Sequence, residues 1–245
     1  MSNATNSLAR SYHTLVGVVM LVLALIGFGQ FYFHGMAYPG RPLTPPIRTL
    51  VIVHSAFMTA WLLLMVLQPF LILRGSRKTH MTVGRFGALI SVAILISGLM
   101  LALGSARNTP AEVKIWGLAP LHFMVVPFVG ILVFAGFVAL GIKNRSNPPM
   151  HRAMMLLGTL SALSAAVSRI DPLNSLYLGT AWELAFGPFF MTLVFGVLLI
   201  VVHTAITRSV DRHFAIGMVV LVALSAGIWR LGTTELWARI ATALV

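Results

Sequence analysis

Residues 54–84 read HSAFMTAWLLLMVLQPFLILRGSRKTHMTVG, an apolar run with one histidine just inside its start, then a basic cluster and a second histidine just past its end. Within the run His54, Trp61 and Gln68 recur at a spacing of seven. Seven residues at about 100° each return to nearly the same helical face, so an imidazole, an indole and an amide share one stripe. In a helix this apolar the stripe is expected to face protein and the remaining surface lipid.

The whole chain repeats that character. Its 245 residues are 58% hydrophobic and 9% charged, far from the roughly 25% charged residues of soluble domains, and mean hydropathy is +0.94. The expected class is an integral membrane protein. Seven apolar runs reach the ~20 residues that a transmembrane helix needs, at roughly 13–34, 48–73, 85–105, 117–142, 153–170, 182–207 and 214–233. Short connections make them one all-α domain over 1–245, a bundle of seven helices. The first run is too long for a signal peptide and is expected to be retained.

Formal charge is +12, with 17 Lys and Arg against five acids. In a soluble chain that would suggest nucleic acid. Here the cations sit in short loops between apolar runs, which points to orientation in the bilayer and contact with anionic headgroups, with no nucleic-acid partner. Ten cations fall on the side of the N-terminus and seven on the other. The expected placement is a bacterial inner membrane, N-terminus in the cytoplasm and C-terminus outside. There are no cysteines, which excludes disulfides and thiolate metal sites and leaves histidine as the main transition-metal ligand.

Breakers add detail. Pro69, Pro127 and Pro188 each fall within a run and are expected to free a carbonyl one turn back. Gly27 with Gly29, Gly84 with Gly87, and Gly98 with Gly104 read as close helix contacts. The loop GMAYPGRPLTPPIR at 35–48 reads as an extended cap over the outer face.

The loops on the N-terminal side share a pattern, each being cationic with a histidine near the next run: His80, His151 and His213. The first two follow, by 26 and 29 residues, a histidine near the outer start of the preceding run, His54 and His122. At 1.5 Å per residue these outer histidines lie about 9 and 7–8 Å in from their helix starts, at matched depth. Two pairs near the two faces, His54 with His122 and His80 with His151, would suit two six-coordinate haems on the order of 20 Å apart. The structural reading stands beside this. Histidines at helix ends face headgroups, Trp61 packs in the core, and Gln68 caps the carbonyl freed by Pro69. Ionisable residues inside a span, such as His54 and His122, instead mark sites.

This layout resembles the ascorbate-type two-haem b cytochromes, six-helix proteins in which the second and fourth helices ligate one haem and the third and fifth the other. The resemblance covers spans two to five and implies haem b on those four histidines and transmembrane electron transfer. The seventh span departs from that plan. HSAFMTAWLLLMVLQ with its basic loop and THMTVGRFG is also similar to an uncharacterised bacterial family of multi-span membrane proteins, which implies no activity.

A second constellation lies on the outer side. Arg169 is expected to pair with Asp171 or Glu183, or to join Glu183, His54 and His122 in an outward-opening pocket that holds a propionate or an anionic substrate. Three other functions remain open. One is a hydrolase with a His-bound metal at His54 and His122, helped by His34 and Glu183. Another is copper handling by histidine and methionine. The third is a transporter or accessory subunit, alongside a membrane partner protein and without a redox centre.

Overall fold

The computed structural model describes residues 3–245. It is an all-α bundle with seven helical spans among the described residues, each long and apolar enough to cross a membrane: Leu8–Gly27, Ile47–Leu73, Arg77–Asn108, Pro120–Lys143, Pro148–Val167, Ala181–Thr207 and Arg212–Gly232. They are the first to seventh spans below. The end of the bundle carrying the N-terminus is called inner, the opposite end outer.

The third span begins eight residues before the expected position. Nothing in RKTHMTVG breaks a helix once Gly75 has turned the chain at φ +74°, so the basic segment forms the first turns and carries His80 on a helix. The fifth span also starts early. Asn147 caps it by accepting a bond from the Met150 amide, and Pro148 and Pro149 fill the first positions, where a missing N–H costs nothing. Asp211 caps the seventh span the same way, accepting from the Phe214 amide at 3.1 Å.

Of the three prolines, only Pro69 lies inside a continuous helix. Pro127 stands in the first turn of Val125–Lys143, after a break at Met124. Pro188 sits in a single 3-10 turn, Gly187–Phe189, that divides the sixth span into Ala181–Phe186 and Phe190–Thr207. The carbonyl that Pro69 cannot bond is that of Met65, and the first span meets it at Gly17, where an added Cβ would lie 2.5 Å from the Met65 oxygen. Gln68 does not cap it, contrary to the sequence expectation; its amide turns to the third span.

The fifth span is the hub. Two thirds of its most apolar window is buried (67%), against 11% for the second, and it packs on the first, fourth, sixth and seventh spans. Small and hydroxylated residues permit that close packing. Gly27 of the first span lies against the Ala166 backbone, Leu160 reaches Gly196 of the sixth, and Leu157 covers Gly217 of the seventh. The second and third spans form a second tight pair, with Gly84, Gly87, Gly98 and Gly104 facing Gln68, Leu64, His54 and Leu50. Gly29 differs from expectation: its only near neighbour is the Phe33 ring, at ordinary contact distance. Large apolar side chains such as Leu63, Leu89, Ile96, Val197 and Val219 cover the outside, as a bilayer environment requires.

The outer end is more ordered than an extended cap. Met36–Ala37 pairs antiparallel with Arg41–Pro42 as a small hairpin. A C-terminal helix, Glu235–Leu244, packs Trp237 against the fourth span, where the indole N–H donates to the Leu121 carbonyl at 3.0 Å.

Candidate functional site

The seven-residue stripe of the second span faces protein at all three positions. The His54 ring bonds Ser97 of the third span, Nδ1 to Oγ 3.0 Å. Ser97 donates its own proton to the Ala93 carbonyl at 2.6 Å, so His54 is the donor and its Nε2 keeps a free lone pair. The Trp61 indole donates to Thr159 of the fifth span at 3.0 Å and meets Phe134 edge-on, fully buried.

Gln68 reaches the start of the third span. With its amide oxygen accepting from the Gly84 N–H at 3.0 Å, its nitrogen donates to the His80 carbonyl at 3.2 Å and to His80 Nδ1 at 2.5 Å. That orientation satisfies every group and is the one to prefer.

The two outer histidines do not lie at matched depth, which corrects the sequence expectation. A Cβ on Gly98 would lie 3.0 Å from His54 Cε1 and 2.8 Å from Ile131 Cγ1. His54 therefore lies beside Ile131, while Trp61, seven residues further in, lies beside Phe134, which sets His54 five to nine residues, roughly 7–13 Å, deeper along the fourth span than His122. His122 belongs to the outer rim, where its Nδ1 donates to the Gly232 carbonyl of the seventh span at 2.8 Å. Counting from helix starts misplaced the pair because the fourth span's outer end is set by the 109–119 loop and by the break at Met124, neither of which has a counterpart in the second span. The two rings are anchored on different neighbours.

The inner histidines do come together. His80 and His151, on the first turns of the third and fifth spans, have ring centres 6.4 Å apart and planes at 88°. Each folds back onto the end of the span before it. His151 Nδ1 donates to the Gly141 carbonyl at 2.8 Å, which leaves its Nε2 lone pair free. His80 Nδ1 lies 3.4 Å from the Gln68 carbonyl and against the Gln68 amide. This shared back-reach is the physical content of the loop repeat seen in the sequence.

Arg169 makes neither of the expected ion pairs. Its guanidinium stacks over Phe28 at 4.9 Å and donates to the Ala165 carbonyl. Burial lowers its pKa to about 10, so it remains a cation at neutral pH. The acids have other partners. Asp171 accepts from the Tyr38 hydroxyl, which with burial pushes that phenol up, and Glu183 accepts from the Gly179 amide at 2.6 Å. These bonds pin the outer hairpin and the loop after the fifth span. With His54 well inside the bundle, Arg169, Glu183, His54 and His122 do not form one pocket.

Sequence reasoning missed a second inner cluster. Tyr12 lies edge-on to both His13 and His203, which are 6.3 Å apart, and these residues share a small void with Asp211. A separation of 190 residues hides the pairing of His13 with His203. No group of three or more His, Asp or Glu residues stands ready to hold a metal ion among the described residues. Comparison with protein families, curated proteins and solved structures finds no match to this chain.

Proposed function

We propose that the protein is a haem b-binding electron carrier of the bacterial inner membrane, with one centre at its inner end held by His80 and His151. The observation that carries this reading is His80 and His151 6.4 Å apart with His151 Nε2 left free by the Gly141 bond and, among the described residues, no group of three or more metal-ligating side chains around them; the His13–His203 pair has a like spacing of 6.3 Å, with His203 Nδ1 beside the Thr207 hydroxyl. His80 and His151 would hold a haem iron between them, each through its Nε2. A bare transition ion takes about four donors or more, whereas haem iron already has four from its macrocycle and asks the protein for two. When bound, haem supplies a reversible one-electron couple.

The remaining work falls to the chain. The Gly141 carbonyl fixes the His151 tautomer with Nε2 as the free ligand atom, the support that histidine ligands ordinarily receive. In the preferred Gln68 orientation the His80 proton sits on Nε2, so binding would require it to move to Nδ1, toward the Gln68 backbone carbonyl 3.4 Å away, as the Gln68 amide turns off that nitrogen. Arg77 and Lys78, one turn or less before His80, suit anionic propionates. The centre lies near the inner face, so its electron partner is a protein or small carrier at that face, and ten cations against seven support the cytoplasm as that side. The His-metal hydrolase reading is less well supported, since its three-ligand cluster does not assemble.

Haemin titrated into the detergent-purified chain is expected to saturate at one per chain. A stoichiometry of two would restore the two-centre layout, and no specific uptake would remove the proposal.

A further inference from the structure

Between the fourth, fifth, sixth and seventh spans lies a void of about 10 Å³, lined mostly by apolar side chains and also by Ser161, Ser164, Thr192 and Ser225, all four buried to at least nine-tenths. It sits where the sixth span breaks, since Phe189 of the 3-10 turn borders it and Thr192 is in the first turn after it. The Thr192 hydroxyl has no hydrogen-bond partner among the described residues. In the apolar middle of a bundle an orphaned hydroxyl is costly, and a void of this size beside four hydroxyl-bearing residues has room for one water.

We infer that this void binds a single ordered water, which joins Thr192 to the serines of the fifth and seventh spans and seals the break in the sixth. The proton count supports water over a cation. Ser161 and Ser164 already donate to the carbonyls of Gly158 and Ser161 at 2.7 and 2.9 Å, so they offer only lone pairs. Thr192 has its proton to give. Water accepts from Thr192, donates to Ser161 and Ser164, and takes its fourth bond from Ser225, matching the usual two to four partners. A sodium ion would use only the lone pairs and leave the Thr192 proton unmet.

The test uses the sign of a stability change in the full-length protein. If the water is present, Thr192→Val removes one of its partners and lowers Tm by about 2–4 °C, while Thr192→Ser stays near wild type. Coupling Thr192→Val with Ser161→Ala should then be non-additive, because both act through the same molecule. Were the void dry, Thr192→Val would raise Tm by removing an unpaired buried hydroxyl, and the pair would be additive; either result overturns the inference. A Tm that rises in sodium chloride but not in choline chloride would also overturn it, in favour of a cation.

Discussion

His80→Ala and His151→Ala, each made in the haem-loaded chain, are expected to abolish the b-type absorption bands, whereas His54→Ala and His122→Ala leave them in place. The asymmetry follows from position. The inner rings are 6.4 Å apart on two helices, while His54 bonds Ser97 and His122 bonds Gly232, at different depths. Free imidazole added to either inner variant should restore part of the bands by filling the vacated ligand position, which separates lost coordination from lost folding. Gln68→Glu offers a graded test. A carboxylate accepting the His80 Nδ1 proton makes that ligand more basic, so the bands persist and the midpoint potential falls. Loss of the bands in His54→Ala with retention in His80→Ala would move the centre to the outer half and contradict the assignment.

Gly27→Ala is expected to produce a large loss of stability from a single added methyl group. That methyl would overlap the Ala166 carbonyl oxygen and lie 2.6 Å from its carbon, against backbone of the central helix. Ala166 lies in the last turn of the fifth span, where its carbonyl accepts from the Arg169 amide at 3.0 Å; that backbone cannot swing aside as a side chain does, so the first and fifth spans must separate. Overpacking of this kind costs about 1–3 kcal/mol, which for a chain of this size lowers Tm by roughly 2–4 °C per kcal/mol. Gly29→Ala is the control, since its nearest neighbour is a flexible ring at 3.7 Å, and Tm should hold or rise slightly. Equal losses at the two positions would mean that the first span does not approach the fifth as described.

The contrast between these two glycines shows what the sequence could and could not convey. Both sit at the end of the same apolar run, and only the azimuth of each toward the fifth span separates them. Local periodicity was enough for the seven spans and for the inward face of His54, Trp61 and Gln68, because one helix determines both. It was also enough to link His80 with His151, because both follow the same loop pattern and fold back on the preceding span. Relations between helices were less accessible. The His54–His122 offset depends on a loop and a helix break that shift one span against another. Arg169 found an aromatic face instead of an acid because the outer hairpin brings Tyr38 to Asp171 first. The central role of the fifth span did leave a trace, the lowest hydropathy of the seven at 1.2, with hydroxyls that a lipid-facing helix would not carry.

The proposed bis-imidazole centre at the inner end is tested by the reduced-minus-oxidised absorption spectrum of the purified protein. The predicted result is a single set of b-type bands belonging to a six-coordinate, low-spin iron in both oxidation states. A featureless difference spectrum from protein expressed with ample haem would contradict it.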